Sequence, residues 1–96
     1  MEKRKQRRVK TRQFARINGK LGVLNDMSSH GVQVSTSLIP DKRDVMIDFE
    51  VYGEAINLVG LIRWIRRKNS LNSLNQLGVV IKNPPVQYSQ FVSTLR

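Results

Sequence analysis

The sequence predicts a six-stranded antiparallel β-barrel with a short C-terminal helix and a flexible basic N-terminal arm. Three observations predict it. The chain has 96 residues, room for one domain, since domains cluster at about 100–150 residues. Short apolar runs recur between Gly, Pro, Asn and Asp turns, the spacing of small all-β folds. Near the C-terminus the period changes: Tyr88, Phe91, Val92 and Leu95 fall at i, i+3, i+4 and i+7, one face of a helix.

Residues 1–12 form the arm. After Met1 their only apolar residue is Val9, so they bury nothing and are expected to be disordered without a ligand. Residues 13–96 form the barrel domain. Phe14 to Ile17 is a short strand. Asn18-Gly19 is the strongest two-residue hairpin signal, and Lys20 to Leu24 returns as the second strand. Asn25 to Gly31 is polar and turn-like. Val32 to Ser35 alternates as a third strand, and Pro40 and Asp41 mark a break.

Residues 44–51 carry the clearest period of two. Val45, Ile47, Phe49 and Val51 share one face; Asp44, Met46, Asp48 and Glu50 share the other. Gly53 and Glu54 turn the chain. Residues 55–66 are apolar on both faces, so this strand is expected to be central or covered on both sides. The doubled unit Ser70-Leu71-Asn72 and Ser73-Leu74-Asn75 reads as a loop. Gln76 to Ile81 is the last strand, stopped by Pro84-Pro85. The helix is expected to lie as a lid on an open barrel end. A chain this small buries only about 60–65% of its unfolded surface, so the lid completes the core.

Composition removes several functions. There is no cysteine and a single histidine, His30, which excludes disulfides, zinc–thiolate sites and multi-histidine metal sites. The longest apolar run, Leu58-Val59-Gly60-Leu61-Ile62, is five residues, against the roughly 20 of a membrane span. The basic N-terminus runs into Phe14-Ala15-Arg16-Ile17 and not into the apolar stretch of a signal peptide, so a cytoplasmic location is expected. No carboxylate pair has an acid/base spacing, and Asp48 and Glu50 lie on the solvent face of their strand. No enzyme is expected.

Charge points to an anionic partner. The net charge is +10, from 17 basic and 7 acidic residues. Residues 1–20 hold nine of the cations and one acid, a net +8. So lopsided a field suits a nucleotide, a nucleic acid or a membrane surface. A solvated tail that aids solubility has the same composition.

Two short motifs sharpen this. Arg7-Arg8-Val9-Lys10-Thr11-Arg12 is followed by Asp26-Met27-Ser28-Ser29-His30-Gly31. Taken with Val59-Gly60-Leu61-Ile62-Arg63-Trp64 and Leu77-Gly78-Val79-Val80-Ile81, the chain resembles the PilZ domain over most of its length. That family carries an RxxxR motif, then [D/N]xSxxG, then a strand ending in Arg-Trp. Its last strand usually ends in phenylalanine, where this chain has Ile81. The resemblance implies a six-stranded barrel with a flanking helix that binds cyclic di-GMP. It also implies a bacterial switch without a resident cofactor, acting through an effector protein on motility or biofilm output. The implied ligand residues are Arg7, Arg8, Arg12, Asp26, Ser28 and Gly31.

The residue types suit that ligand. Arginine's planar fork takes guanine O6 and N7 together, or two phosphate oxygens; lysine does neither. Arg8 and Arg12 are thus expected to clamp the ligand. Asp26 offers two acceptors to the guanine N1 and N2 donor edge. Ser28 suits a phosphate, a base edge or the local backbone. Gly31 is expected to supply a positive φ or a close approach to the ligand. In the family a basic residue before the motif accompanies a stacked ligand dimer, so Arg7 implies two ligands per chain.

Bland readings stand beside these. The RxxxR spacing is also met by Arg4–Arg8 and Arg12–Arg16. Arg8–Arg12 is favoured because Arg7 completes RRxxxR, while Arg12–Arg16 runs into the first strand. Only 13 residues separate Arg12 from Asp26, a short first hairpin. Asp26 and Ser28 on spacing alone cap a turn. Trp64 is more often core than platform, and His30 reads as a loop residue near the ligand. Two other functions compete: a degenerate PilZ adaptor that binds only protein, and a small basic barrel that binds nucleic acid. An aromatic content of 6% gives the latter no stacking strip.

Overall fold

The computed structural model describes residues 8–38, 40–67 and 74–95. Arg7 and the arm before it lie outside the described residues, as does the doubled unit up to Ser73. Six strands, β1 (Val9–Ile17), β2 (Lys20–Met27), β3 (Gly31–Thr36), β4 (Asp44–Val51), β5 (Glu54–Arg66) and β6 (Asn75–Lys82), are followed by the helix α1 (Val86–Thr94). They close into an antiparallel barrel in the order β1-β2-β3-β6-β5-β4.

Period two builds the core. Val45, Ile47 and Phe49 point inward from β4, and Ile56, Leu58 and Ile62 from β5. Leu77, Val79 and Ile81 do the same from β6. The helix covers the end of the barrel at the β2–β3 loop. Tyr88 and Val92 are buried there, and the Phe91 ring tilts against Phe49 with centroids 5.9 Å apart. Asn18 and Gly19 have φ of 50° and 88°, the paired positive values of a type I′ hairpin.

Four expectations change. β1 begins at Val9, inside the stretch expected to be arm, because the hairpin ladder continues: Val9 lies opposite Met27 and Lys10 opposite Asp26. Strand geometry tolerates the charge because Lys10, Arg12 and Arg16 all point outward. β2 extends through the polar Asn25 and Asp26 because Met27 beyond them is fully buried. The turn after β4 is Tyr52-Gly53, one residue early, with φ of 52° and 79°. Finally, β5 is covered on one face only. Val59 and Leu61 are exposed, since a single-layered barrel has one interior.

The seam between β1 and β4 is short. Only Arg16↔Asp48 and Ile17↔Ile47 pair. Asn18 reinforces the base: its N–H donates to the Met46 carbonyl and its Oδ1 accepts from the Met46 N–H, both at 2.8 Å. Towards Val9 the backbones part, and the Gln13 amide reaches across to the Glu50 carbonyl at 3.4 Å.

Candidate functional site

Register lines up one row of residues on the outer face of five strands. Lys10 pairs with Asp26, Asp26 with Gln33, Gln33 with Gly78, and Gly78 with Trp64. The side chains of Lys10, Asp26, Gln33 and Trp64 stand on the solvent side of their strands, and Gly78 presents bare backbone there. Three register shifts fall beside this row: between Lys10 and Gln13, between Leu24 and Asp26, and between Ile62 and Trp64. An extra residue bends its strand and re-aims its neighbours. Here the shifts break the barrel's regularity around one depression.

That depression is an open cleft of about 450 Å³, lined by Arg8, Asp26, His30 and Gly31 on one side and by Arg63, Trp64, Gly78 and Val80 on the other. Its volume lies in the ~300–1,000 Å³ range of small-molecule sites. Trp64 forms its floor. A Cβ on Gly78 would fall 2.1 Å from the indole Nε1 and 2.2 Å from Cε2, so the ring occupies the space a side chain there would take. Trp64 is 43% exposed, and the Arg66 guanidinium stands 5.9 Å from its ring centroid. The tryptophan is therefore a platform on the surface, which corrects its reading as core. The reason is the glycine opposite it, which gives the indole a flat seat outside the barrel.

Arg8 and Asp26 meet at the other edge. The Arg8 guanidinium donates to Asp26 Oδ1 at 2.9 Å, with the arginine side chain about half exposed and the carboxylate 18% exposed. Arg8 is thus held at the mouth of the cleft by the residue that follows it 18 positions later.

The loop between β2 and β3 is pinned from three sides. The Ser28 N–H donates to the Gly31 carbonyl at 2.9 Å, and the Ile81 N–H donates to the His30 carbonyl at 2.8 Å. From below, the Tyr88 hydroxyl donates to the Ser28 carbonyl at 2.6 Å, with the Gly31 oxygen at 3.2 Å. Burial pushes the Tyr88 phenol well above its ordinary range. The Asp26 carboxylate adds to the rise, and Arg8 and the bond to Ser28 oppose it.

The predicted residues divide accordingly. Arg8, Asp26 and Gly31 line the cleft together. Ser28 is buried, and its hydroxyl turns to the Gly31 carbonyl at 3.4 Å, the turn-capping reading of this motif. Gly31 does not adopt a positive φ; its missing side chain leaves room for β6, since a Cβ would stand 3.3 Å from the Val79 carbonyl oxygen. Arg12 lies on the outer face of β1 and is not among the cleft's lining residues. His30 does line it, with Nδ1 3.1 Å from the Ser29 hydroxyl. The sequence assigns no site role to Gln33, or to Gly78 beyond its place in the last-strand motif. A mid-strand glycine is a known mark of close approach, but only the register shows that the approaching group is Trp64.

Fold and site together define a small antiparallel barrel with an aromatic-floored, arginine- and aspartate-edged cleft on its outer face. No protein-family model matches the chain, and no curated protein matches it. Among solved structures the chain is similar to the Bacillus subtilis inhibitor of motility, MotI/DgrA. The TM-score is 0.73 at 10% identity, over 98% of this chain and 49% of that one. The chain thus spans about half the length of that protein. What the two share at this identity is the fold. No helix among the described residues is long and apolar enough to cross a membrane.

Proposed function

We propose that the chain is a cyclic di-GMP receptor that signals to a partner protein and catalyses no reaction. The observation that carries this reading is the meeting of Arg8 and Asp26 at 2.9 Å across the cleft from an upturned Trp64. The three groups match three parts of a guanine nucleotide. The Asp26 carboxylate accepts from the N1 and N2 donors of a guanine. The Arg8 fork leaves Asp26 and takes a phosphate or the O6/N7 edge. The indole offers its face to a base. Ser28 and Gly31 hold the loop that presents Asp26, and Arg7 adds charge for a second ligand.

The likeness to an inhibitor of motility adds a motility output to the reading, with the arm and its bound ligand as the surface a cytoplasmic partner meets. Arg8 directly precedes β1 and its side chain is about half exposed, so ligand capture orders that side chain. That ordering costs conformational entropy, which the charge-assisted bonds offset.

Calorimetric titration with cyclic di-GMP, against GTP, is the test. Saturable binding that Arg8→Ala and Asp26→Ala both weaken is the expected result. A flat titration, with single-stranded oligonucleotides binding at moderate salt, would replace this reading with nucleic-acid recognition.

A further inference from the structure

We infer that the outer face of the β1–β4 seam is a two-fold interface between two copies of this chain. The face lies on strands that flank the nucleotide cleft, and the inference does not depend on that cleft's ligand.

Two large apolar side chains stand on it without cover. Phe14 is 62% exposed and Leu21 63%. They are neighbours, since Phe14 lies opposite Val23 and Arg16 opposite Leu21 in the hairpin ladder. Isolated exposed apolar residues need no explanation, but an adjacent pair beside a groove does. The groove is there because the seam is only two rungs long. Where β1 and β4 part, a cleft of about 390 Å³ opens between Phe14, Arg16 and Leu21 on one side and Asp48, Glu50 and Ala55 on the other.

The charges select the occupant. The β1 wall is basic, with Arg12 and Arg16 facing out; the β4 wall is acidic, with Asp48 and Glu50. A uniformly acidic partner, a nucleic acid or an anionic membrane meets repulsion from the β4 wall. A basic partner meets it from β1. The fitting surface is one with an acidic strip beside a basic strip that also carries exposed apolar side chains, and a second copy supplies it. A two-fold axis through the seam lays β1 of each chain over β4 of the other. Arginines then meet carboxylates twice over, and each Phe14, standing between Arg12 and Arg16 on β1, enters the groove of the other copy. This self-matching of a patch with its own rotated image is the rule for cyclic dimers. The repulsion between two chains of net charge +10 sets the strength, so association is weak and reversible.

Sedimentation equilibrium of the full chain across the micromolar range tests this. The expected result is a concentration-dependent dimer. F14D should weaken it about tenfold or more, as loss of a central aromatic anchor does. R16E alone and D48R/E50R alone should each be monomeric. An equimolar mixture of the two should recover a mixed dimer, which a folding defect could not produce. Thermal melts check that each variant is folded. A monomer at every concentration overturns the inference, and so does a dimer indifferent to F14D and to both charge reversals. Co-sedimentation of a monomeric wild type with phosphatidylglycerol vesicles, lost in F14D, would reassign the face to a membrane and overturn it equally.

Discussion

The Tyr88 hydroxyl donates to the carbonyl oxygen of Ser28 at 2.6 Å, across 60 residues of sequence. It joins the C-terminal helix to the loop that carries the DxSxxG residues. The helix was expected as a lid on the core, and Val92 and Phe91 serve that purpose. Tyr88 does more. One buried phenol sets the height of the loop beneath Asp26, and so the height of one wall of the cleft.

Tyr88→Phe removes that bond. A loss of about 1–2 kcal/mol in stability is expected at neutral pH, read by denaturant unfolding. The pH dependence has a definite sign. Burial raises the folded phenol's pKa, so the unfolded chain ionises first, near the ordinary ~10. The stabilisation is complete below that pH and drains away as pH rises past it. Wild type should then lose about 1.4 kcal/mol more per pH unit than Tyr88→Phe, and the two curves should converge. Parallel curves would contradict this account.

Removing either member of the Arg8–Asp26 pair should cost ligand affinity far more than stability. The pair is partly exposed, and exposed ion pairs contribute about 0–1 kcal/mol to folding. Each charged group bonded to ligand contributes about 1.5–3 kcal/mol, roughly 10- to 150-fold in Kd. Calorimetry and melting of Arg8→Ala and Asp26→Ala separate the two quantities. A large drop in melting temperature with unchanged Kd would make the pair structural.

The arginine that partners Arg8 is open to direct test. Arg12 sits within the β1 ladder and is not among the residues that line the cleft. Arg4 has the same four-residue spacing on the other side of Arg8 and precedes the first ladder pair at Val9. Arg4→Ala should weaken cyclic di-GMP binding about tenfold or more, and Arg12→Ala by less than about threefold. The reverse ranking would require β1 to unpair on binding.

Trp64 is the chain's one tryptophan, so its fluorescence reports the cleft alone. A base stacked on the indole should quench it in step with calorimetric saturation. Trp64→Ala should weaken binding by about 1–3 kcal/mol. Gly78→Val, which fills the seat of the ring, should displace the indole and weaken binding similarly while the barrel still folds. Binding without any change in emission would remove the platform role.

Much of the fold was legible because it rests on local periodicity. The alternation of Val45, Ile47 and Phe49 against Asp44, Met46 and Asp48 permits one strand face inward, and Asn18-Gly19 dictates its turn. Residues 9–12 read as arm because their charge hides a strand whose inward side is only weakly apolar. The site was half legible. Arg8, Asp26 and Gly31 are carried by short motifs, and the structure gathers them. Trp64, Gly78 and Gln33 come from three strands, and no local pattern can state which residues lie opposite one another. The bulges that aim them are invisible too, since an extra residue leaves no trace in composition.

The two-rung seam has a mechanical meaning. Among the described residues, Val9 to Ala15 of the first strand are laddered along the β2 edge, and across the gap the Gln13 amide reaches β4. At its far end Asn18 rivets it to Met46. A strip fastened in this way is a flap with a hinge. Arg8 sits at the end that lacks a β4 partner, roughly 26 Å from Arg16 at a strand rise of about 3.3 Å per residue. A pull on Arg8 acts through a long lever arm, and because β1 is laddered to β2 its work goes into bending that hairpin away from β4.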